Sequence, residues 1–577
     1  MSRSRKIWTW SGLGLLAVLV IAVALLLTFD WNRAKPWLNS RVSAATGRVF
    51  TINGNLSLTW EKESVPESGW RSWLPWPHLI AQEITIGNPE WAKAAANTVE
   101  LKQVAFSVNP LALLDKRIVI PSLRFDSPSV TLERAKDGKN NWYFKSGESP
   151  SEWKLELQQL VLTKGNVRIV DAIKRADIMA VVDTLPQDAV YGVGWTMSGT
   201  FNGQKLTGDG KAGAVLSLQT QSAPYPIEAS VRIGKTSGSV KGTLTKPRDL
   251  AALDMQLKLA GASMAHLYPL TGLVLPETPP YSTNGHLVGT LNAKGGDWLY
   301  EKFSGKVGAS DIGGTLEYQS KEPRPLLKGT VTSKVLQFDD LAPLIGADST
   351  ASKAKRDAVE ATPSGKVLPA EPFKTERWSS IDADVKFTGQ RIIRDKDLPI
   401  DNLSTNLRLQ DGVLSLKPLN FGVAGGTFNS DITLDGRNKI IKAQLKIAAR
   451  HLKLKQLFPA FQPMQASLGE VNGDASLSAT GNSIASMLGS SNGEVKALIN
   501  DGTISKLLLE QIGLNIGNVV LSKIFGDKQV KLHCLASDFA VTNGLMQARS
   551  FVVDTDEAIL TLTGQINLAQ EQLALTI

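Results

Sequence analysis

The residue types that most often carry catalysis or bind metals are scarce in this chain of 577 residues. It has five histidines and one cysteine, Cys534, which directly follows His533. The surrounding segment alternates like a strand, where neighbouring side chains point to opposite faces, so the two residues could not easily act as base and nucleophile. No His-Glu-x-x-His motif occurs, and the Gly-Ser-Ser-Asn-Gly sequence at 489–493 is not interpreted as a nucleophile elbow. We therefore predict no catalytic residue and no metal site, and a protein that is not an enzyme.

Glycine-containing segments at 481–483 and 513–517 are the candidates for a phosphate-binding loop. Neither ends in the Gly-Lys-Ser/Thr sequence that would contact the phosphates and their metal ion. We interpret both as ordinary turns or helix ends, and no cofactor is predicted. The adjacent acids Asp339 and Asp340 follow a strand-like segment and are predicted to cap the N-terminus of a helix.

Composition narrows the class of protein further. Hydrophobic residues make up 42% of the chain and charged residues 20%, which is ordinary for a folded protein. The net charge of +9 comes from 63 basic and 54 acidic residues spread thinly along the chain, so a nucleic-acid partner is not expected. A single cysteine excludes an internal disulfide framework. The length alone would allow three or four compact domains.

The long apolar run is N-terminal, where residues 7–29 contain no charge. A helix of this length, about 34 Å, would span a hydrocarbon core of about 30 Å. Basic residues within 1–6 predict a cytoplasmic N-terminus and export of the chain after residue 30. The alternative is a cleaved signal peptide, but the run exceeds about 15 residues and 27–31 lacks a small-x-small cleavage pattern. Representative residues of the predicted anchor are Ile7, Leu16, Val20, Leu26 and Phe29.

Beyond residue 50 the hydrophobic pattern has a period of two, which is typical of strands with one apolar face. Asp-Gly and Asn-Gly turns separate many of these segments, which favours a long antiparallel sheet. The sequence predicts few helices, and all of them are short. Two examples are 31–46 and 483–488, and Ser483 is the predicted N-cap of the second. The apolar positions selected as candidate lining residues are Leu56, Leu58, Val104, Phe106, Leu407, Leu409, Leu560 and Leu562.

A linker divides the exported part. Residues 347–371 contain almost no large apolar side chain, and we predict that they are flexible. This predicts a β-rich region at 30–346 and a second at 372–577. The alternation is still in progress at 573–577, so we expect the second region to continue in a longer protein.

Several motifs, in a fixed order, resemble the AsmA family. They are TGR at 46–48, INGNLSL at 52–58, GNP at 87–89, NPLALL at 109–114, DGKNNW at 137–142, GDASLSATGNS at 473–483, NDGTI at 500–504, VDT at 553–555 and GQINL at 564–568. The resemblance implies a protein of the Gram-negative envelope, anchored in the inner membrane by one helix with its bulk in the periplasm. It also implies a curled, taco-like antiparallel β-sheet groove, related to bridge-like lipid transfer proteins and to phospholipid transport towards the outer membrane.

Two alternatives remain open at this stage. Alternating apolar residues more often form the core of a closed sandwich or barrel than an open groove, and periodicity alone favours the closed form. For function, a non-enzymatic lipid-transfer or envelope-homeostasis protein that binds phospholipids is the leading hypothesis. The alternative is an assembly factor for outer-membrane proteins that acts through exposed sheet edges. Outer-membrane or periplasmic proteins are further expected partners.

The tryptophans Trp70, Trp73 and Trp76 form the most unusual local cluster. They could contact the membrane interface, where tryptophan is enriched. We favour the plainer interpretation, a proline-constrained loop whose indoles pack on the end of the sheet.

Overall fold

A computed structural model describes most of the chain after residue 28. The described ranges are 29–62, 75–143, 154–214, 224–246, 251–268, 275, 277–290, 296–337, 340, 368–370, 372–373, 375, 378–393, 400–457, 468–506 and 529–576. These residues fall into two compact units. The first comprises residues 1–234 and 239–248, and the second comprises 235–238 and 249–577.

The first unit is built from short and medium strands. They are β1 (Phe50–Ile52), β2 (Leu56–Glu61), β3 (Trp76–Gly87), β4 (Asn97–Ser107), β5 (Arg117–Ile120), β6 (Leu123–Asp126), β7 (Ser129–Arg134), β8 (Lys154–Leu157), β9 (Leu160–Thr163), β10 (Gly165–Asp171), β11 (Ala176–Thr184), β12 (Val193–Phe201), β13 (Gln204–Ala212), β14 (Tyr225–Ile233) and most of β15 (Thr236–Lys246). From β10 to β14 each strand pairs antiparallel with the next, as the Asn-Gly and Gly-containing turns favour.

The second unit has longer strands. They are β16 (Ala251–Gly261), β17 (Tyr281–Thr290), β18 (Asp297–Val307), β19 (Ser310–Gln319), β20 (Leu326–Gln337), β21 (Asp382–Ile393), β22 (Ile400–Gln410), β23 (Val413–Val423), β24 (Gly426–Asp435), β25 (Ile441–Lys453), β26 (Leu468–Gly481), β27 (Asn492–Ser505), β28 (Gln529–Thr542), β29 (Leu545–Thr555), β30 (Ile559–Thr561), β31 (Thr563–Asn567) and β32 (Gln572–Thr576). Most of these strands pair antiparallel with their neighbours in sequence, so that the unit forms one large sheet.

Among the described strands four pairs are parallel, which the sequence pattern did not predict. In the first unit β5 pairs with β8, β6 with β9 and β7 with β10. In the second unit β20 pairs with β21, and the intervening connection contains the predicted linker. A parallel pair needs a connection that returns the chain to the opposite end of the sheet, so a long insertion is required between β20 and β21.

Helices are few and short among the described residues. They are α1 (Lys35–Thr46), α2 (Leu454–Leu457) and α3 (Ile484–Gly489), with 3₁₀ turns at Trp31–Ala34, Ala112–Asp115, Met264–Leu267 and Trp378–Ser380. The 3₁₀ turn Trp31–Ala34 and α1 together cover the helix that was predicted at 31–46. α3 begins directly after its predicted N-cap, Ser483. The Ser483 hydroxyl accepts a hydrogen bond from the backbone N–H of Ser486 at 3.2 Å.

The mainly β fold with few short helices is therefore confirmed. The predicted anchor residues Ile7, Leu16, Val20 and Leu26 lie outside the described residues, as do Trp70, Trp73 and most of the linker 347–371. Within the described part of the chain no helix is both long and apolar enough to cross a membrane. The predicted domain bounds stay a prediction.

Candidate functional site

The most extensive feature of the second unit is a row of directly paired residues that crosses sixteen strands and is apolar throughout. We call it the central row. Its members, from β16 to β32 and omitting β30, are Met255, Leu287, Tyr300, Leu316, Gly329, Val385, Leu407, Leu416, Ile432, Leu445, Leu477, Gly493, Val541, Met546, Ile566 and Leu573. Residues directly opposite each other on paired strands project from the same face. The second unit therefore has one face with a continuous apolar band.

Rows on either side widen this band, because every second residue of a strand lies on the same face. On one side a row passes through Trp298, Tyr318, Leu327, Ala383, Leu409, Leu414, Leu434, Ala443 and Ala479. On the other side a row passes through Val331, Phe387, Thr405, Leu419, Ser430, Ile447, Ala475, Val495, Phe539 and Ala548. Polar side chains interrupt the second row at Thr405 and Ser430, and the Ser430 hydroxyl is satisfied by the Leu419 carbonyl at 3.1 Å.

The opposite face of the same strands is polar. One of its rows reads Glu317, Lys328, Asp384, Arg408, Ser415, Thr433, Gln444 and Ser478. Lys328 pairs with Glu317 at 3.2 Å across neighbouring strands. These groups are solvated or paired, so this face requires no covering layer.

The apolar side chains at the centre of the band are only half-buried. Leu407, Leu416, Ile432, Leu445 and Leu477 all retain part of their surface to solvent. A second packed layer would bury them as fully as Leu532, which is 0% exposed in a cluster with Leu454, Ile499 and Val553. Among the described residues, the most completely buried large apolar side chains are Leu56, Ile441 and Leu532, and Leu532 packs in a cluster with Leu454 of α2.

Aromatic rings lie against glycines of the adjacent strands on both units. A Cβ at Gly210 would be 2.4 Å from the Trp195 ring, and one at Gly285 would be 2.7 Å from the Tyr300 ring. Tyr300 in turn stacks on Phe303 with ring centroids 5.1 Å apart. Because these glycines have no side chain, the aromatic rings occupy the space where a side chain would lie. The rings thereby keep the apolar face continuous across the glycine positions.

The first unit carries a comparable row across nine strands. Its members are Phe50, Ile86, Val99, Val130, Val167, Ala180, Met197, Gly208 and Val231. Near β1–β4, however, the apolar face is covered. Leu56, Ala81, Ile84 and Val104 form a buried cluster, against which Trp31 and Leu38 pack from the 3₁₀ turn and from α1.

The candidate lining residues therefore have different environments. Leu56 and Val104 are buried beneath α1, and Leu58 and Phe106 are half-buried in the next row of the same face. Leu407 lies in the central row, whereas Leu409 is buried near Trp378 and Ile381. Leu560 packs on Val553, and Leu562 follows β30 as a half-buried residue. Whether any of them contacts a ligand stays a prediction.

Trp76 is 6% exposed at the start of β3, paired with Glu61 of β2. Trp76 is therefore a buried strand residue, and the interpretation of the loop with Trp70 and Trp73 stays a prediction. Phe29 is 47% exposed and contacts Trp31 edge-to-face with ring centroids 5.3 Å apart.

The titratable residues highlighted by the sequence do not converge. His533 pairs with Asp556 at 2.8 Å, and both side chains are largely exposed, while Cys534 is a half-buried free thiol. The Asp340 carboxylate accepts hydrogen bonds from the backbone N–H groups of Ala309 and Ser310 and so holds the turn between β18 and β19. Asp339 and the segment after Asp340 lie outside the described residues, so the helix cap stays a prediction. In the described ranges no three His, Cys, Asp or Glu side chains are arranged to hold a metal ion.

Sequence reasoning missed a histidine held between two carboxylates on the polar face. His286 Nε2 lies 2.6 Å from Asp254 Oδ1 and Nδ1 lies 2.8 Å from Glu301 Oε1. The hydrogen bonds to Asp254 and then Glu301 raise the pKa of His286 above its usual value. The three residues come from neighbouring strands β16, β17 and β18, so only the strand register could have revealed them.

Comparison with known proteins agrees with the architecture. The AsmA family profile matches residues 1–185 and 172–551. The chain belongs to the AsmA family. It is 40% identical to the AsmA family protein YhjG of Escherichia coli (strain K12) over 613 aligned positions, covering 100% of this chain and 89% of that protein. No solved structure is significantly similar to this AsmA-family chain.

Proposed function

We propose that this AsmA-family protein binds the acyl chains of phospholipids on its apolar sheet face and passes them between the inner and outer membranes. The observation that carries the proposal is the central row, sixteen strands wide and half-buried at its centre. With strands about 4.8 Å apart, such a row extends about 70 Å along the sheet. In this proposal the sheet curls around its apolar face into an open groove.

The energetics of the face support an acyl chain as the ligand. Hiding each CH₂ group from water is worth about 0.8 kcal/mol, so a chain laid along the band gains affinity in proportion to its length. No polar side chain of the central row would have to give up a hydrogen bond, because the only polar atom in it is the Tyr300 hydroxyl. That hydroxyl is already within 3.1 Å of Thr283 Oγ1.

The proposed mechanism needs no chemical step. Lipid movement along the row would exchange one set of apolar contacts for another of similar strength, so the free energy would change little between neighbouring positions. The proposal therefore assigns no catalytic residue and no cofactor. It places the chain in the inner membrane through residues 7–29, with the N-terminus in the cytoplasm and the sheet in the periplasm.

The experiment that tests the proposal compares neighbouring positions on opposite faces. A photoreactive amino acid replaces Leu407 or Leu445 on the apolar face, and Arg408 or Gln444 on the polar face, in cells that have been fed radioactive phosphate. Irradiation should attach labelled phospholipid at positions 407 and 445 and leave 408 and 444 unlabelled. Equal labelling of the two faces, or none on either, would overturn the proposal. Crosslinks to outer-membrane proteins at exposed sheet edges, with no lipid at positions 407 and 445, would favour the assembly-factor alternative.

A further inference from the structure

The helix α1 has two dissimilar sides, and one is fixed to the sheet. Asn39 Oδ1 accepts a hydrogen bond from the backbone N–H of Ile52 at 3.1 Å, and Ser43 Oγ accepts one from Phe50 at 2.8 Å. Leu38 packs into the buried cluster beneath. Because these contacts set the rotation of the helix about its axis, the residues that remain on its outer side are defined.

The outer side carries cations around an exposed tryptophan. Trp37 is 63% exposed, and Arg33 and Arg41 lie four residues before and after it, on the same side of the helical segment. We call Arg33, Trp37, Ser40 and Arg41 the outer face of α1. Neither arginine has an ion-pair partner among the described residues.

The segment 29–49 carries mostly positive charge. Between residues 29 and 49 there are four cations, Arg33, Lys35, Arg41 and Arg48, and one carboxylate, Asp30. Asp30 is occupied locally, since its Oδ1 accepts hydrogen bonds from the backbone N–H and the side-chain amide of Asn32, each at 3.1 Å. An exposed indole between arginines is suited to a bilayer surface, where the ring enters the headgroup region and the guanidinium groups contact phosphates.

We propose that the outer face of α1 lies against the surface of a bilayer that contains anionic phospholipid, and so seats the first strands of the sheet on the membrane. Charge complementarity commits the site to an anionic lipid surface. This membrane contact of α1 goes beyond the proposed function. It uses a different surface from the apolar sheet face, and it does not require lipid to be bound on that face. Its position directly after the apolar run 7–29 agrees with this partner.

The test measures how close α1 comes to lipid in the full chain. Cys534 is replaced by Ser, and a fluorophore is attached at Ser40→Cys on the outer face or, as a control, at Thr196→Cys on the exposed polar side of β12. The protein is reconstituted into vesicles of phosphatidylcholine with or without phosphatidylglycerol, and lipids with a spin label near the headgroup serve as quenchers. Quenching should be strong at position 40 in the anionic vesicles, weaker without phosphatidylglycerol or at high salt, and absent at position 196.

Charge reversal provides the matched comparison. Arg33→Glu with Arg41→Glu should lower the fraction of quenched probe roughly ten-fold, since each basic residue adds to the attraction of an anionic surface. Lys174→Glu with Lys205→Glu makes the same change of charge elsewhere in the first unit and should leave quenching unchanged. Arg33→Lys with Arg41→Lys should retain it, which excludes a folding defect.

Three results would overturn the proposed membrane contact of α1. One is equal quenching at positions 40 and 196. Another is quenching at position 40 that changes neither with the charge of the lipid nor in the double variant Arg33→Glu with Arg41→Glu. The third is a photocrosslink from position 40 to a second copy or another protein in place of lipid. None of these outcomes affects the lipid labelling expected at positions 407 and 445. Failure of the proposed membrane contact and failure of the proposed function are therefore distinguishable.

Discussion

At the scale of single residues, the polar face has a feature that couples stability to pH. The protonated His286 ring donates from Nε2 to Asp254 and from Nδ1 to Glu301, which lie on different strands, and its raised pKa means that the folded state favours this protonated form. A group of this kind stabilises the fold fully below its unfolded pKa of about 6.5. That contribution is lost as the pH rises through the higher folded pKa.

The corresponding prediction is that His286→Gln removes part of the pH dependence of stability. The wild-type free energy of unfolding should decline from pH values near 6.5 upwards, and the variant should show a smaller decline over the same interval. Chemical denaturation of the full chain in detergent at a series of pH values measures this. His266→Gln serves as the control and should keep the wild-type slope. Parallel slopes for wild type and His286→Gln would contradict the assignment.

Burial separates two leucines that the sequence pattern treats alike. Leu532 is 0% exposed in the cluster beside α2, whereas Leu573 of the central row is 71% exposed. Leu532→Ala should lower the free energy of unfolding by about 2–5 kcal/mol, because the lost contacts leave a cavity. Leu573→Ala, the matched control, should change it by less than about 0.5 kcal/mol. Denaturant midpoints of the two variants test the difference, and equal losses would refute it.

At the scale of elements, α3 depends on its N-cap residue, Ser483. The Ser483 hydroxyl accepts from the Ser486 N–H, and the Ser486 hydroxyl accepts from the Ser483 N–H at 2.9 Å. This reciprocal arrangement satisfies N–H groups that a short helix leaves unpaired. We expect Ser483→Ala to cost about 1 kcal/mol of stability, and Ser483→Asp to retain most of it. Amide hydrogen exchange at 484–489 should increase in the first variant only, and unchanged protection would contradict the capping role.

The sequence predicted the faces of the strands better than it predicted what covers them. Alternation placed Leu407 and Leu409 on one face correctly, because the period of two is a property of the strand itself. It could not predict that Leu409 is buried near Trp378, since that contact depends on where a distant connection runs. In the same way, Leu56 is buried because the separate helix α1 packs over it.

The parallel pairing of β20 with β21 was unpredictable for a related reason. Asp-Gly turns specify an antiparallel neighbour locally, but 44 residues separate the end of β20 at Gln337 from the start of β21 at Asp382. No local signal in such a connection fixes which strand edge it returns to. Pairing registers also shift at several points, such as between Leu416 and Leu419. A bulge of this kind changes which residues share a face, and single-sequence periodicity locates it poorly.

At the scale of the whole molecule, a passive conduit differs from a set of separate binding sites in one measurable way. In a conduit every position lies in series, so a barrier at one strand pair should stop movement and empty only the positions beyond it. The central row offers a place for such a barrier at β25 and β26, where Leu445 pairs with Leu477. The adjacent pair Gln444 and Ser478 belongs to the same strands but lies on the polar face.

We therefore predict that Leu445→Asp with Leu477→Asp blocks lipid transfer, whereas Gln444→Asp with Ser478→Asp does not. Two carboxylates on the apolar face make each passing acyl chain displace their hydration, which costs several kcal/mol and should slow transfer by roughly ten-fold or more. Transfer of radioactive phospholipid from inner to outer membrane measures the rate in cells that carry either pair. Photocrosslinkers at Leu316 and Met546, on either side of the barrier, report where lipid remains. Loss of label on one side only would identify the side from which lipid enters, because upstream positions still fill. If both double variants transfer lipid at the wild-type rate, lipid does not travel along the central row.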